Sequence, residues 1–292
     1  MRLDDLDPTD NARDLGSGGG GGGFGLLGLL PLLLGRGMGC GGILLIGAVV
    51  LVYAFMSGGL GGMTGGGFAP SQQSAGASGS AACNSPERLE ACKVMTSTEQ
   101  TWDAIFRQAG KQYRPATINF FKGGASTGCG EATSAVGPFY CPSDDGVYID
   151  TEFFDQLDRR FGAKGDFARA YVIAHEVGHH IQDLLGTSDQ VSRMQARASE
   201  AESNRLSVGL ELQADCFAGV WAYHNKNRLD PGDVEEGMTA ANAIGDDTLQ
   251  KEAQGRVSPE SFTHGTSAQR VTWLRKGLES GDPGQCTSVE GI

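Results

Sequence analysis

The stretch that most restricts what this chain can become is DFARAYVIAHEVGHHIQDLLG, from Asp166 to Gly186. Tyr171, Val172, Ala174, Ile181, Leu184 and Leu185 recur at core-like helical spacing. Asp166 stands where an N-cap belongs and Gly186 ends the pattern, so the stretch predicts a largely buried helix. Within it His175, Glu176 and His179 spell H-E-x-x-H. At 3.6 residues per turn, positions four apart lie one above the other, so both imidazoles project from one face toward a common point. Two ligands of a zinc ion are thereby fixed. Glu176 follows the first ligand, beside the metal without coordinating it, where it can take a proton from water activated by zinc. The pattern by itself also describes an amphipathic core helix with two hydrogen-bonded histidines, so the rest of the chain must supply the remainder of a site.

A catalytic zinc site normally has three protein ligands and an open position. The segment ELQADCFAGVWAY, Glu211 to Tyr223, offers the third. Glu211 and Asp215 are four apart on a predicted helix, hence on one face: Glu211 is the candidate ligand, and Asp215 the candidate acceptor for the free ring nitrogen of a ligand histidine, His175 being the expected partner. Their neighbours Leu212, Ala214, Phe217 and Ala218 are strongly apolar, which argues against a solvated acidic face.

The remaining histidines separate by position. His264, in SFTHGTSAQR, is a candidate to stabilise the oxyanion of a tetrahedral intermediate, with Arg270 at the start of a further helix expected to pair with a structural carboxylate. His180 points about 100° around the helix from His179 and cannot share its metal, so a structural hydrogen bond is expected. His224 reads as a solvent residue at a helix end.

Composition sets the compartments. Nearly half of the 46 glycines crowd into the first seventy-five positions, leaving a foldable length nearer 210 residues, enough for one sizeable core. Residues 1–36 read as a disordered, Gly-rich cytoplasmic tail, with a short apolar patch at Phe24 to Leu34 that Pro31 interrupts. Gly37 to Met56 carries no charge for twenty residues, which at about 1.5 Å per residue matches a hydrocarbon core of roughly 30 Å. We read it as a single transmembrane helix; a cleaved signal peptide is the alternative, disfavoured by the long, mixed-charge, glycine-filled segment ahead of it. Arg2, Arg13 and Arg36 precede the span and no Lys or Arg follows until Arg88, which puts the N-terminus inside and the bulk of the chain in the periplasm or outside the cell. Residues 57–82 are a Gly/Ser/Ala tether. Cys83, Cys92, Cys129, Cys141, Cys216 and Cys286 all lie beyond the span, an even number that suits disulfides in an oxidising compartment; the local pairs Cys83 with Cys92 and Cys129 with Cys141 leave Cys216 with Cys286 among fifteen connectivities. A net charge of -12 with no basic block excludes a nucleic-acid partner.

In the ectodomain, Ser97 to Gly110 predicts a helix, with Ser97 and Gln100 as a capping box and Trp102, Ile105, Phe106 and Ala109 as its buried stripe. Pro115 to Phe121 and Gly146 to Asp150 alternate as strands around a cysteine-containing loop. A helix follows from Thr151 to about Phe161, and a long helical pattern from Asp189 to about Tyr223 is expected to break near Gly209 or earlier.

Together HEVGHH, ELQADCFAG and SFTHGTSAQR resemble the bacterial neutral zinc metallopeptidase family, membrane-anchored proteins of the zincin class, with the match running from about Ser97 to Cys286. The E-x-x-A-D element is also similar to that of the larger gluzincin group. The resemblance implies zinc held by His175, His179 and Glu211, Glu176 as general base, and a peptide or protein substrate. Gluzincins carry T-H-P where this chain has Thr263, His264 and Gly265. Zincins pair extended substrate with an edge strand near the metal, and Gly146 to Asp150 is the candidate here, with an ordinary core strand as the equal alternative. The expected whole is an α+β, helix-rich zincin-like domain with a small β-sheet, residues 83–292, behind a tail and one transmembrane helix. A second reading stays open from sequence: a non-catalytic extracytoplasmic binding or scaffold protein that keeps zinc for stability.

Overall fold

The computed structural model describes residues 1–17, 76–159, 162 and 165–288. The segments read as the glycine run, apolar patch, transmembrane helix and most of the tether lie outside the described residues; among those described, no helix is long and apolar enough to cross a membrane.

One mixed sheet carries six strands: β1 (Ala12–Ser17), β2 (Thr117–Lys122), β3 (Gly124–Thr127), β4 (Gly130–Thr133), β5 (Phe139–Cys141) and β6 (Gly146–Asp150). The order is β4-β3-β2-β6-β5, with β1 also paired to β2. β2 and β6 run parallel with Ile118 opposite Val147 and Phe120 opposite Ile149, and these four face the main core; Phe121 and Tyr148, on the opposite face, join Ala125 and Cys141 in a smaller cluster. The strict two-residue alternation of the strands sorts side chains between the two faces. β6 is fully buried and paired on both sides, so the expectation that it is the substrate-facing edge is corrected: β5, antiparallel to β6 through Phe139 to Tyr148 and Cys141 to Gly146, ends the sheet instead.

Eight α-helices complete the described unit: α1 (Pro86–Gln108), α2 (Glu152–Arg159), α3 (Asp166–Leu185), α4 (Thr187–Gln195), α5 (Glu200–His224), α6 (Asp233–Ala243), α7 (Asp246–Gln254) and α8 (Ser267–Ser280). This is the helix-rich α+β architecture expected. α1 starts eleven residues before the predicted Ser97, capped by Ser85 with Pro86 in the first turn; Ser97 is buried inside it, bonded to Asn225 and Trp221. The break before the glutamate helix falls between α4 and α5, where Ser199 caps, and Gly209 sits within α5. The N-cap of α3 is Gly165, with Asp166 its first residue. The three cysteine pairs are those expected: Cys83–Cys92, Cys129–Cys141 and Cys216–Cys286.

The largest correction concerns the N-terminus. The first seventeen residues are not a disordered tail but belong to the same compact unit as the domain. Leu3, Leu6 and Ala12 are buried in its core, β1 lies parallel to β2 with Ala12 opposite Ile118, and Asp14 pairs with Arg88 at 2.6 Å. Thr9 and Asn11 both donate to Glu99, at 2.8 and 2.9 Å. A polar stretch with few apolar residues has no periodicity of its own, and its partner strand lies a hundred positions away; tertiary context makes it a strand.

Candidate metal centre and cleft

α3, α5 and α8 bring the site together by close backbone approach. Where α3 crosses α5 the contact residue is Gly178: a Cβ there would sit 2.9 Å from the Ala214 carbonyl oxygen and 3.0 Å from its Cα. Any larger residue holds α5 away, and with it Glu211. On its far side α5 meets α8 glycine on glycine, since a Cβ on Gly219 or Gly277 would overlap the partner backbone at 2.1 or 1.9 Å.

The three candidate ligands converge. His175 Nε2 lies 3.1 Å from Glu211 Oε2 and His179 Nε2 lies 3.4 Å from Glu211 Oε1, and one donor atom from each residue falls within 4.8 Å of the others. A tetrahedral ion with bonds of 2.0–2.2 Å separates its ligand atoms by about 3.3–3.6 Å, so this spacing accommodates one.

Tautomers follow from the neighbours. His175 Nδ1 is 2.8 Å from Asp215 Oδ1 and Nε2 is 3.1 Å from Glu211 Oε2; a carboxylate only accepts, so Asp215 holds a proton on Nδ1 and Nε2 is the nitrogen that would give up its proton to face a bound ion. His179 Nδ1 reaches the side-chain oxygen of Gln182 at 2.9 Å, and Gln182 is itself oriented by donating to the Leu210 carbonyl at 2.6 Å and to Gln213 at 3.1 Å. Both rings thus present Nε2.

Asp215 is wholly buried and accepts from four donors. Besides His175 these are Tyr171 Oη at 2.6 Å and Arg270 through Nε and Nη2, each at 2.9 Å. The guanidinium fork neutralises a carboxylate that the interior would otherwise penalise. Arg270 therefore does pair with a carboxylate, and that carboxylate braces a candidate ligand. Burial disfavours the charged form of His175, but Asp215 and Glu211 outweigh it and push its pKa up to about 9. His179 is likewise raised against its burial by Glu211, and Glu211 is held well below the usual carboxylate range, against its own burial, by the two histidines. A field that raises both imidazoles favours a cation at the point they share. Burial pushes Glu176 up.

A cleft of about 520 Å³ opens on this cluster, with His175, Glu176, His179, Glu211, His264 and Arg270 in its lining. Its other walls are apolar, among them Pro138, Phe139, Phe153, Val172, Ile244 and Leu249. β5 and the turn before it form one side. His264 enters from the turn between α7 and α8, where Asp246 accepts from the backbone N–H groups of Thr263, His264 and Gly265 at 2.7, 2.7 and 3.2 Å and pairs with His264 Nδ1 at 3.2 Å. That pairing raises the His264 pKa against desolvation. Gly265 has φ +87°, which proline cannot adopt, so the turn differs in backbone from a T-H-P element.

All six residues singled out from sequence as site candidates thus line the cleft or, for Asp215, brace a residue that does. His180 makes the structural hydrogen bonds expected of it, and His224 bonds the Gly281 carbonyl at 3.0 Å. Gln182, Tyr171 and Asp246 were missed. Tyr171 is four before His175 and Gln182 three after His179, a same-face spacing that could have flagged both; nothing in the sequence links Asp246 to His264.

The family described as "putative neutral zinc metallopeptidase" matches residues 1–289. The protein YpfJ of Escherichia coli strain K12, titled uncharacterized, is 52% identical over 210 residues, covering 70% of this chain and 73% of that protein. Rv2575 of Mycobacterium tuberculosis strain H37Rv, titled likewise, is 42% identical over 212 residues, 68% of this chain and 70% of the other. No solved structure matches. The match over nearly the whole chain makes this chain a member of that neutral zinc metallopeptidase family.

Proposed function

We propose that the protein is a zinc-dependent peptidase that hydrolyses peptide bonds in extended segments with apolar side chains. The observation that carries the reading is the donor set: two imidazoles that turn Nε2 toward one carboxylate, with one donor atom from each residue within 4.8 Å of the others, on the floor of an open cleft. His175, His179 and Glu211 would hold the ion. Zinc in such a site supplies a Lewis acid that lowers the pKa of water and polarises a carbonyl.

The remaining work falls to side chains. Glu176 lines the cleft beside the ligands, and no protein donor among the described residues reaches its carboxylate, so it can accept a proton from the attacking water and return it to the leaving amine. His264, held by Asp246, directs its other ring nitrogen toward charge developing on the carbonyl oxygen. The edge of β5, unpaired among the described residues, offers backbone groups to an extended peptide, and the apolar walls take its side chains. The open cleft favours this reading over a zinc-stabilised scaffold. An extracytoplasmic location, which suits three disulfides, remains part of the proposal; a single crossing through residues 37–56 does not, because the pairing of β1 with β2 keeps residues 1–17 on the same side as the domain.

The test is cleavage of an unfolded protein by the purified chain. Hydrolysis that a chelator abolishes and added zinc restores is expected; a zinc-loaded protein that cleaves nothing favours the scaffold.

A further inference from the structure

The wall of the cleft that carries β5 is a short run, Gly130 to Cys141, far from any rigid helix in sequence. It is fastened at three points. At one end the Cys129–Cys141 disulfide closes it. At the turn Asp150, buried, accepts from the Gly123 N–H at 3.0 Å and from the Ser134 hydroxyl. Those two tie the wall to its own sheet. The third tie reaches the helix that carries the metal ligands: Tyr140 Oη lies 3.0 Å from His180 Nδ1.

His180 is fully buried, and its Nε2 lies 2.6 Å from the Arg114 carbonyl oxygen. A carbonyl only accepts, so Nε2 carries the proton, Nδ1 is left as an acceptor, and the Tyr140 hydroxyl donates to it. Asp145 and Asp183 stand farther from the same hydroxyl, at 3.3 and 3.4 Å. The rings of Tyr113 and Tyr140 pack on the imidazole, with centroids 5.9 and 5.4 Å away. His180 is thus a three-way junction between α3, the segment entering β2, and the edge strand, one residue after a candidate ligand. Core packing alone requires neither a fixed tautomer nor a tyrosine hydroxyl on the strand that ends the sheet.

We propose that Tyr140 and His180 are positioning residues that lock β5 onto α3, and so set the register of an extended peptide against the metal ligands. The substrate half of this rests on the peptidase reading. A peptide long enough to lie along β5 feels the lock; one that spans only the scissile bond does not.

The test uses the full, zinc-loaded chain as wild type, Tyr140→Phe, His180→Gln and the double variant. Glutamine, with its amide nitrogen in place of Nε2, retains a donor for the Arg114 carbonyl and turns its own oxygen away from the Nδ1 position, leaving no acceptor there for Tyr140. Hydrogen exchange should show the amides of residues 139–141 roughly fivefold faster in each single variant, the scale of one lost hydrogen bond, with no further gain in the double variant and no change in α3 or zinc content. In kinetics, KM for an eight-residue peptide should rise by about the same factor at unchanged kcat, while a dipeptide amide is cleaved as before. Unchanged exchange in β5, additive effects in the double variant, or equal losses on long and short substrates would each overturn the proposal. A wild type that cleaves neither substrate overturns the peptidase reading and the substrate half with it, and the exchange rates still decide whether the lock exists.

Discussion

Replacing Asp215 by asparagine should uncouple two properties that the structure joins in one carboxylate. The amide offers a single acceptor oxygen and turns an NH2 group toward a guanidinium that has only donors, so Arg270, 3% exposed, loses its counter-charge in the interior. Breaking one partner of a buried ion pair costs about 3–5 kcal/mol. In a domain of this size that lowers Tm by on the order of 10 °C. His175 meanwhile exchanges a carboxylate partner for a weaker amide, and loss of such a brace typically lowers metal affinity about 10–100-fold. Differential scanning calorimetry of the metal-free protein and zinc titration against a chromophoric chelator measure the two separately. Adding Arg270→Met to Asp215→Asn removes the orphaned cation and should restore part of the Tm, while zinc stays weakly bound. Should Asp215→Asn melt within about 2 °C of wild type and bind zinc equally well, the brace would not be what holds this site.

Three further expectations follow from other parts of the structure. Gly178→Ala puts a Cβ within 3.2 Å of three Ala214 atoms, and should cost about 1–3 kcal/mol in denaturant titrations and weaken zinc binding by moving Glu211. Asp246 raises the His264 pKa through its hydrogen bond, so the protonated imidazole persists above its ordinary value of about 6.5 and kcat/KM falls as pH rises through the raised value; Asp246→Asn should move that basic limb to lower pH. The same pairing contributes stability that is full below about 6.5 and lost as pH rises through the folded pKa. Because β1 and β2 pair, a reporter fused ahead of residue 1 through a long linker should report the same side of a membrane as one fused after residue 292, and a chain lacking residues 1–17 should melt lower; opposite sides would contradict the sheet.

Sequence spacing carried the site further than it carried the fold. H-E-x-x-H and E-x-x-x-D work because four-residue spacing on a helix is rigid geometry, so His175, His179, Glu211 and Asp215 converge once α3 and α5 pack. Features that depend on remote partners were hidden. β1 has no pattern without β2; Ser97 and Gln100 spell a cap inside a helix that begins at Ser85; and β6 looks like any half-buried strand until β5 pairs beside it. Residues 37–56, read as a membrane span, lie outside the described residues, so the fold of residues 1–17 bears on topology only through the strand pairing.

The most direct measurement compares metal content and turnover in wild type and Glu176→Gln, purified side by side. Glu176 is assigned to proton transfer rather than to holding the ion, so the variant should carry one zinc per chain, as wild type does, and hydrolyse an unfolded protein at least a hundredfold more slowly, as loss of a general base requires. Equal turnover, or loss of the zinc along with the activity, would contradict that division of labour.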